Sequence, residues 1–121
     1  MSSLSPHDSN LANKFSDCSA ADIVDTTPTA VSAAVTSFNK YAETFVISNS
    51  DATVGTRVDI LDGTTLKFSV VLGSLAAGQT TVTVNFPKGM LFEGAINATC
   101  GTTSALVRVA VAGYKVREGL V

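Results

Sequence analysis

The chain has 121 residues, a formal net charge of −2, 45% hydrophobic and 15% charged residues, and no Trp. That length suits one domain with its own core, and the charge balance excludes a basic surface for nucleic acid. Charge falls well short of the ~25% usual in soluble proteins, and no stretch reaches the ~20 apolar residues of a membrane-spanning helix.

Residues Met1–Asp25 are rich in Ser, Asp and Asn, with scattered apolar positions at Leu4, Leu11, Phe15, Ile23 and Val24. They lack the basic segment and apolar run of a signal peptide, so synthesis and retention in the cytoplasm are expected, with release by lysis. Pro6 argues against an early helix. A short helical turn fits Leu11–Phe15 or Ser19–Val24, where Ser19 caps and Asp22 follows three residues on. An irregular arm is the expectation, either solvated or lying on a neighbouring subunit. Leu11 and Phe15 favour the neighbour, since a solvated tail rarely carries Phe.

Thr26-Thr27-Pro28 breaks the chain and opens the domain. Val31, Ala33 and Val35 then alternate with small residues, which suits an Ala-rich helix or an edge strand. The β-branched content and the preceding Pro favour the strand. Ser37–Lys40 reads as a loop. Tyr41–Ser48 reads as a central strand, because Phe45-Val46-Ile47 is apolar on both faces. Asn49-Ser50-Asp51 is a turn cluster.

Arg57–Leu72 is the clearest stretch, two strands meeting at Asp62-Gly63. Val58 and Ile60 share one face of the first arm; Leu66, Phe68, Val70 and Leu72 share one face of the second. This period of two buries one side of each strand. Asp-Gly suits a hairpin turn, and the Thr pair after it allows a longer loop. Val82, Val84 and Phe86 alternate with Thr81, Thr83 and Asn85, and Pro87-Lys88-Gly89 is expected to stop that strand. Met90-Leu91-Phe92 then reads as an apolar loop, a plug over one end of the core or a contact patch. Ala95–Cys100 is a shorter strand. Ala105–Val111 is long, apolar and central, and Gly113-Tyr114 closes it.

Residues that could carry chemistry are few. His7, the one His, sits in the leader without a partner, whereas a catalytic His needs a partner and a dry pocket. Carboxylate pairs for glycoside chemistry would come from Glu43, Asp51, Asp59, Asp62 and Glu93, yet Asp51 and Asp62 occupy turns where Asp is structural. Asn49, Ser50, Asp51 and Asp62 are a thin calcium candidate. Asn97-Ala98-Thr99 matches a glycosylation sequon without a secretion signal. Cys18 and Cys100 lie in no metal spacing. Cys100 reads as a small buried hydrophobe, and a Cys18–Cys100 bridge stays open as the alternative. The expectation is no enzyme, no cofactor and no metal.

The stretches TTPTAVSAAVTSFNKYAETFVISNSDAT, RVDILDGTTLKFSVVL, TVTVNFPKGMLFEGAINATC and ALVRVAVAGYKV resemble small β-sandwich virion proteins of tailed bacteriophages. The marks are Asn49, Asp62-Gly63, Phe86-Pro87, Ala95–Cys100 and Gly113-Tyr114, within Thr26–Val116. The resemblance implies a structural protein without catalysis, of the head decoration or cement kind, or a neck or tail component.

These readings converge on an all-β chain: a single antiparallel β-sandwich or jelly-roll-like domain of about seven to eight strands with an extended N-terminal arm. The expected divisions are 1–25 for the arm, 26–116 for the sandwich and 117–121 for a tail. The expected role is capsid decoration, stabilising the head by binding across capsomers from outside; a neck, tail or fibre subunit is the alternative. Expected partners are the major capsid protein or other virion subunits, and further copies of the chain, with a trimer as the guess. Neither nucleic acid nor membrane is expected. Leu11, Phe15, Met90, Leu91 and Phe92 are the candidate contacts.

Overall fold

The structure, a computed structural model, describes residues 14–102 and 106–118. Among these residues there are eight strands and no helix: β1 (Lys14–Ile23), β2 (Thr29–Ser32), β3 (Phe38–Asn49), β4 (Thr56–Asp62), β5 (Thr65–Leu72), β6 (Thr81–Phe92), β7 (Ile96–Cys100) and β8 (Val107–Arg117). They form two four-stranded sheets, ordered β1-β8-β3-β6 and β2-β7-β4-β5, and every pairing is antiparallel. Eight strands divided this way between two facing sheets make a jelly roll, so the all-β sandwich expectation holds. The first sheet is built from strands of ten to twelve residues and the second from strands of four to eight, hence "long" and "short" below.

The core lies between the sheets. Phe45, Ile47 and Val109 of the long sheet and Val58, Ile60, Ile96 and Ala98 of the short sheet are all essentially inaccessible. Phe45 meets Phe68 edge-on across the core, with ring centroids 5.2 Å apart. Each such side chain contributes about 1.5–3 kcal/mol by leaving water, which explains why the alternating stretches settle as strands. The β4–β5 hairpin closes with two residues, Gly63 and Thr64, between the paired Asp62 and Thr65. Gly63 has φ 61°, a conformation open to residues without a Cβ. Asp62 ties the hairpin to the next loop by accepting from the Glu93 and Gly94 amides at 3.0 and 2.8 Å.

Several expectations need correction. Residues 14–23 are not an irregular arm or a helical turn; they form β1, paired along their whole length with β8. The sandwich therefore begins before residue 26. Pro87 does not end its strand, because β6 is an edge strand and the Pro lies where its register with β3 shifts, so no ladder donor is missed. Met90, Leu91 and Phe92 consequently belong to a strand, not a loop. Gly113-Tyr114 lies inside β8 instead of closing it, and Arg117 still belongs to the strand. Of the Ala-rich 31–36 stretch only Val31 and Ser32 lie in a strand, the short edge strand β2, and residues 33–36 lead on to β3, which opens at Phe38 inside the expected Ser37–Lys40 loop.

Candidate functional site

The outer face of the long sheet is unusual in its side chains. Register places them in rows across the four strands. Asp22, Arg108, Ser48 and Thr81 form one row; Ala20, Ala110, Val46 and Thr83 the next; Cys18, Ala112, Thr44 and Asn85 the third; Ser16, Tyr114, Tyr41 and Leu91 the fourth. The two middle rows contain no charge and no side chain larger than Val or Asn. The sole ion pair of this face among the described residues joins Arg108 Nη1 to Asp22 Oδ1 at 2.9 Å, at one end.

The ends of the face differ in relief. At the Arg108 end, Asp22, Val24, Ser48, Leu106 and Arg108 border a depression of about 430 Å³. Val24 and Leu106 stand exposed on its walls. At the other end, Tyr41 and Tyr114 stack with centroids 5.2 Å apart and planes at 14°. Partial burial, with Glu43 and Tyr41 nearby, raises the Tyr114 hydroxyl above its ordinary pKa.

Below the fourth row, Lys40 points inward. Its side chain is 5% exposed, and Nζ donates to Asp17 Oδ2 at 2.8 Å and to Ser32 Oγ. Ser32 Oγ also donates to Asp17 Oδ2 at 3.4 Å. The group joins β1, β2 and β3, so it pins the two sheets together along one edge. A buried ammonium without this carboxylate would be strongly disfavoured. The arrangement is structural: three polar atoms saturate one another.

The predicted site residues separate. Leu11 and His7 lie outside the described residues. Phe15 falls on β1, opposite Lys115. Leu91 is half-buried on the fourth row of the outer face, and Met90 packs partly against the core. Phe92 is 0% exposed, so it is a core residue and drops out as a contact. Asn49 and Asp51 are engaged by turns: Asn49 Nδ2 donates to the Val54 and Gly73 carbonyls, and Asp51 Oδ1 accepts from the Thr53 and Val54 amides. Asp62 sits at the other end of β4 from them, so the calcium candidate is not assembled. Cys18 is exposed and Cys100 buried, both as free thiols, which removes the bridge. Burial chiefly pushes the Cys100 thiol up.

Sequence reasoning missed the outer-face residues Cys18, Ala20, Val46 and Ala112. Their one signal is the run of small uncharged side chains at every second position, which is weak until the strands are known to be neighbours.

No family model matches the chain, and no curated protein matches it. Solved structures do. One, from Bacillus endospore appendages described as a novel family of disulfide-linked pili, superposes with TM-score 0.56 at 13% identity, covering 87% of this chain and 88% of that one. Another, the virus-like particle of extra small virus from the giant freshwater prawn Macrobrachium rosenbergii, gives TM-score 0.45 at 14% identity, covering 84% and 78%. The first likeness shows a shared fold; the second is too loose to add to it.

Proposed function

We propose that this chain is a structural subunit that works by contact and catalyses nothing. The observation that carries the proposal is the outer face of the long sheet, whose middle rows expose only small, uncharged side chains. Such a face has little of the charge that keeps a free surface hydrated, and it lets another body approach closely. The finer reading is a decoration or cement protein of a tailed bacteriophage head, bound across capsomers on the capsid exterior; a neck, tail or fibre subunit is its variant. The sequence stretches quoted above support it. Many weak copies would stabilise the shell by binding its assembled state alone.

A second reading is favoured by the fold shared with the endospore appendage over nearly the full length of both chains: a subunit that builds a filament from its own copies. One pair of measurements separates the two. Purified protein is mixed with expanded capsid shells and pelleted, and the protein alone is imaged by negative-stain electron microscopy. Saturable co-sedimentation without filaments supports the decoration reading. Filaments without shell binding support the second. A protein that stays monomeric and binds neither shells nor itself defeats the structural-subunit proposal.

A further inference from the structure

Asp62-Gly63 is the one place in the chain where Asp or Asn is followed by Gly. In an unfolded chain such a pair rearranges, because a residue without a Cβ leaves its backbone nitrogen free to reach the Asp side chain. Ring closure bonds the Gly63 nitrogen to Asp62 Cγ. One carboxylate oxygen leaves as water, taking the proton of that nitrogen and one from solvent. Water then reopens the five-membered imide at either carbonyl. One opening restores Asp62. The other routes the main chain through Cβ and Cγ and leaves isoaspartate, with no change in mass.

We infer that Asp62-Gly63 is a covalent isomerisation site that the loop between β6 and β7 holds shut, so that isoaspartate forms there only when that loop lets go. The turn presents the reacting groups, and the loop occupies each of them. The Gly63 amide, the nucleophile, donates to the Ala95 carbonyl at 2.9 Å. Both oxygens of the electrophile are taken: Oδ1 accepts from the Gly94 amide at 2.8 Å and Oδ2 from the Glu93 amide at 3.0 Å. Asn97 Nδ2, at the start of β7, donates to the Gly63 carbonyl at 2.8 Å and fixes the other side of the glycine. Ring closure must turn the carboxylate toward the Gly63 nitrogen and strip that nitrogen of its hydrogen bond. The three loop contacts therefore break before the new bond forms. The pairing of Asp62 with Thr65 closes the hairpin by itself, so these contacts are additional to the turn.

The lock is also the tie between the β4–β5 hairpin and the β6–β7 loop. Isoaspartate adds a carbon to the main chain at the first turn residue and carries the carboxylate away from the Glu93 and Gly94 amides. The loop then has nothing to close on, and a passing opening at this end of the sandwich becomes permanent.

The experiment follows isoaspartate at Asp62 by peptide mapping of protein held for weeks at neutral pH, and in parallel the hydrogen exchange of the Gly63 amide. Both processes need the Gly63–Ala95 bond open, so they share one local opening. Folded wild type is expected to isomerise more slowly than the urea-unfolded chain by at least the factor that protects the Gly63 amide, about tenfold or more. Asn97→Ala removes one clamp, and the new Cβ of Gly94→Ala would stand 3.2 Å from Asp62 Oδ1. Both variants are expected to raise the two rates together, with a thermal melt checking that they are folded. Asp62→Glu, whose longer side chain closes the ring poorly, is expected to give no isomer. Folded wild type that isomerises as fast as the unfolded chain overturns the inference. So does a folded variant that frees the Gly63 amide to exchange yet isomerises no faster, since the backbone of the turn and not the loop would then be the lock. Should both variants unfold, wild type in sub-denaturing urea gives the same comparison, and an isomerisation rate that does not climb with Gly63 exchange overturns the inference there.

Discussion

On the long sheet, Ala20, Ala110 and Val46 share one outward row and Cys18, Ala112 and Thr44 the next. On the short sheet, outward positions of the neighbouring strands hold Arg57, Asp59, Lys67 and Ser69. There Arg57 Nε pairs with Asp59 Oδ1 at 3.0 Å, and Ser69 Oγ donates to the same oxygen at 2.6 Å. Both sheets bury largely apolar inner faces, with Phe45, Ile47 and Val109 on one and Val58, Ile60 and Ile96 on the other. What distinguishes them is their relation to water. The short sheet keeps a hydrated, charged exterior, as a free surface does. The long sheet gives up charge over its two middle rows, which makes sense where another body replaces the water. The long sheet is also the one held together by exceptions: a glycine at a register shift, and an ion pair in its interior.

The glycine offers the sharpest way to break the long sheet alone. At Gly113 the β3–β8 register shifts, and a Cβ there would lie 2.0 Å from the Tyr41 carbonyl oxygen and 3.1 Å from the Ala42 Cα. Both obstacles are backbone, so the central pair of strands must separate. Gly113→Ala is expected to cost about 3 kcal/mol or more. At Gly101, beyond the end of β7 on the short sheet, the nearest atom to a new Cβ is 3.6 Å away. Gly101→Ala is expected to stay within about 0.5 kcal/mol. Urea titrations of the two variants compare them directly; equal effects would remove the register shift from the account.

The ion pairs form a second contrast, of intermediate size. Lys40→Met leaves the Asp17 carboxylate half-enclosed with no cation. The full penalty for breaking a buried pair is about 3–5 kcal/mol. Asp17 keeps 23% of its side chain in water, so about 2–3 kcal/mol is expected here. The double variant Lys40→Met with Asp17→Leu should recover most of it, since no uncompensated charge remains. Arg57→Ala, on a side chain 62% exposed, should cost about 0.5 kcal/mol or less. A double variant as unstable as the single one would mean that Lys40 acts through packing and not through charge.

That same ion pair shows why the sequence was legible in one place and opaque in another. The β4–β5 hairpin was legible through most of its length, because Phe68, Val70 and Leu72 alternate toward the core, but Leu66, expected on the same face, is 57% exposed beyond the register shift between Ile60 and Leu61. β1 was not. Its inward positions include Asp17, Ser19 and Ala21, which look like loop residues. Ser19 Oγ is buried without a hydrogen-bond partner, and Asp17 is tolerated because Lys40 comes from another strand to meet it. Lys40 in turn looked like a loop residue for the same reason. Each charge taken alone signals solvent; together they signal an interior, and that pairing is a property of the tertiary fold. Pro87 misled in the opposite sense: a strand stop in a central position is harmless on an edge. The outer face of the long sheet was invisible for a third reason, since small uncharged side chains become a surface only when four strands lie side by side.

The two thiols, one on each sheet, give the smallest and most specific contrast. Cys18 lies exposed on the long sheet; Cys100 lies buried on β7, its Sγ 3.3 to 3.6 Å from the carbonyl oxygens of Thr102, Asp25 and Ile23. Burial holds the folded Cys100 proton beyond the ordinary thiol value of 9.0, while the unfolded chain releases it near that value. As pH rises past 9.0, the unfolded state therefore has lost a proton that the folded state keeps, and alkali favours unfolding. The Cys100 contribution is complete below that pH and is lost as pH climbs through the raised folded value. Tyr114 adds a second loss of the same sign, beginning from 10.0. Thermal melts at about pH 8, 9, 10 and 11 should show the midpoint falling by a few degrees, with the fall beginning above 9.0 and continuing past 10.0. Cys100→Ala should flatten the first part of that fall and Tyr114→Phe the second. Cys18→Ala, on the exposed outer face, is the control that leaves Cys100 and Tyr114 in place. A slope that vanishes with Cys18→Ala and persists in Cys100→Ala would assign the sensitive thiol to the wrong sheet.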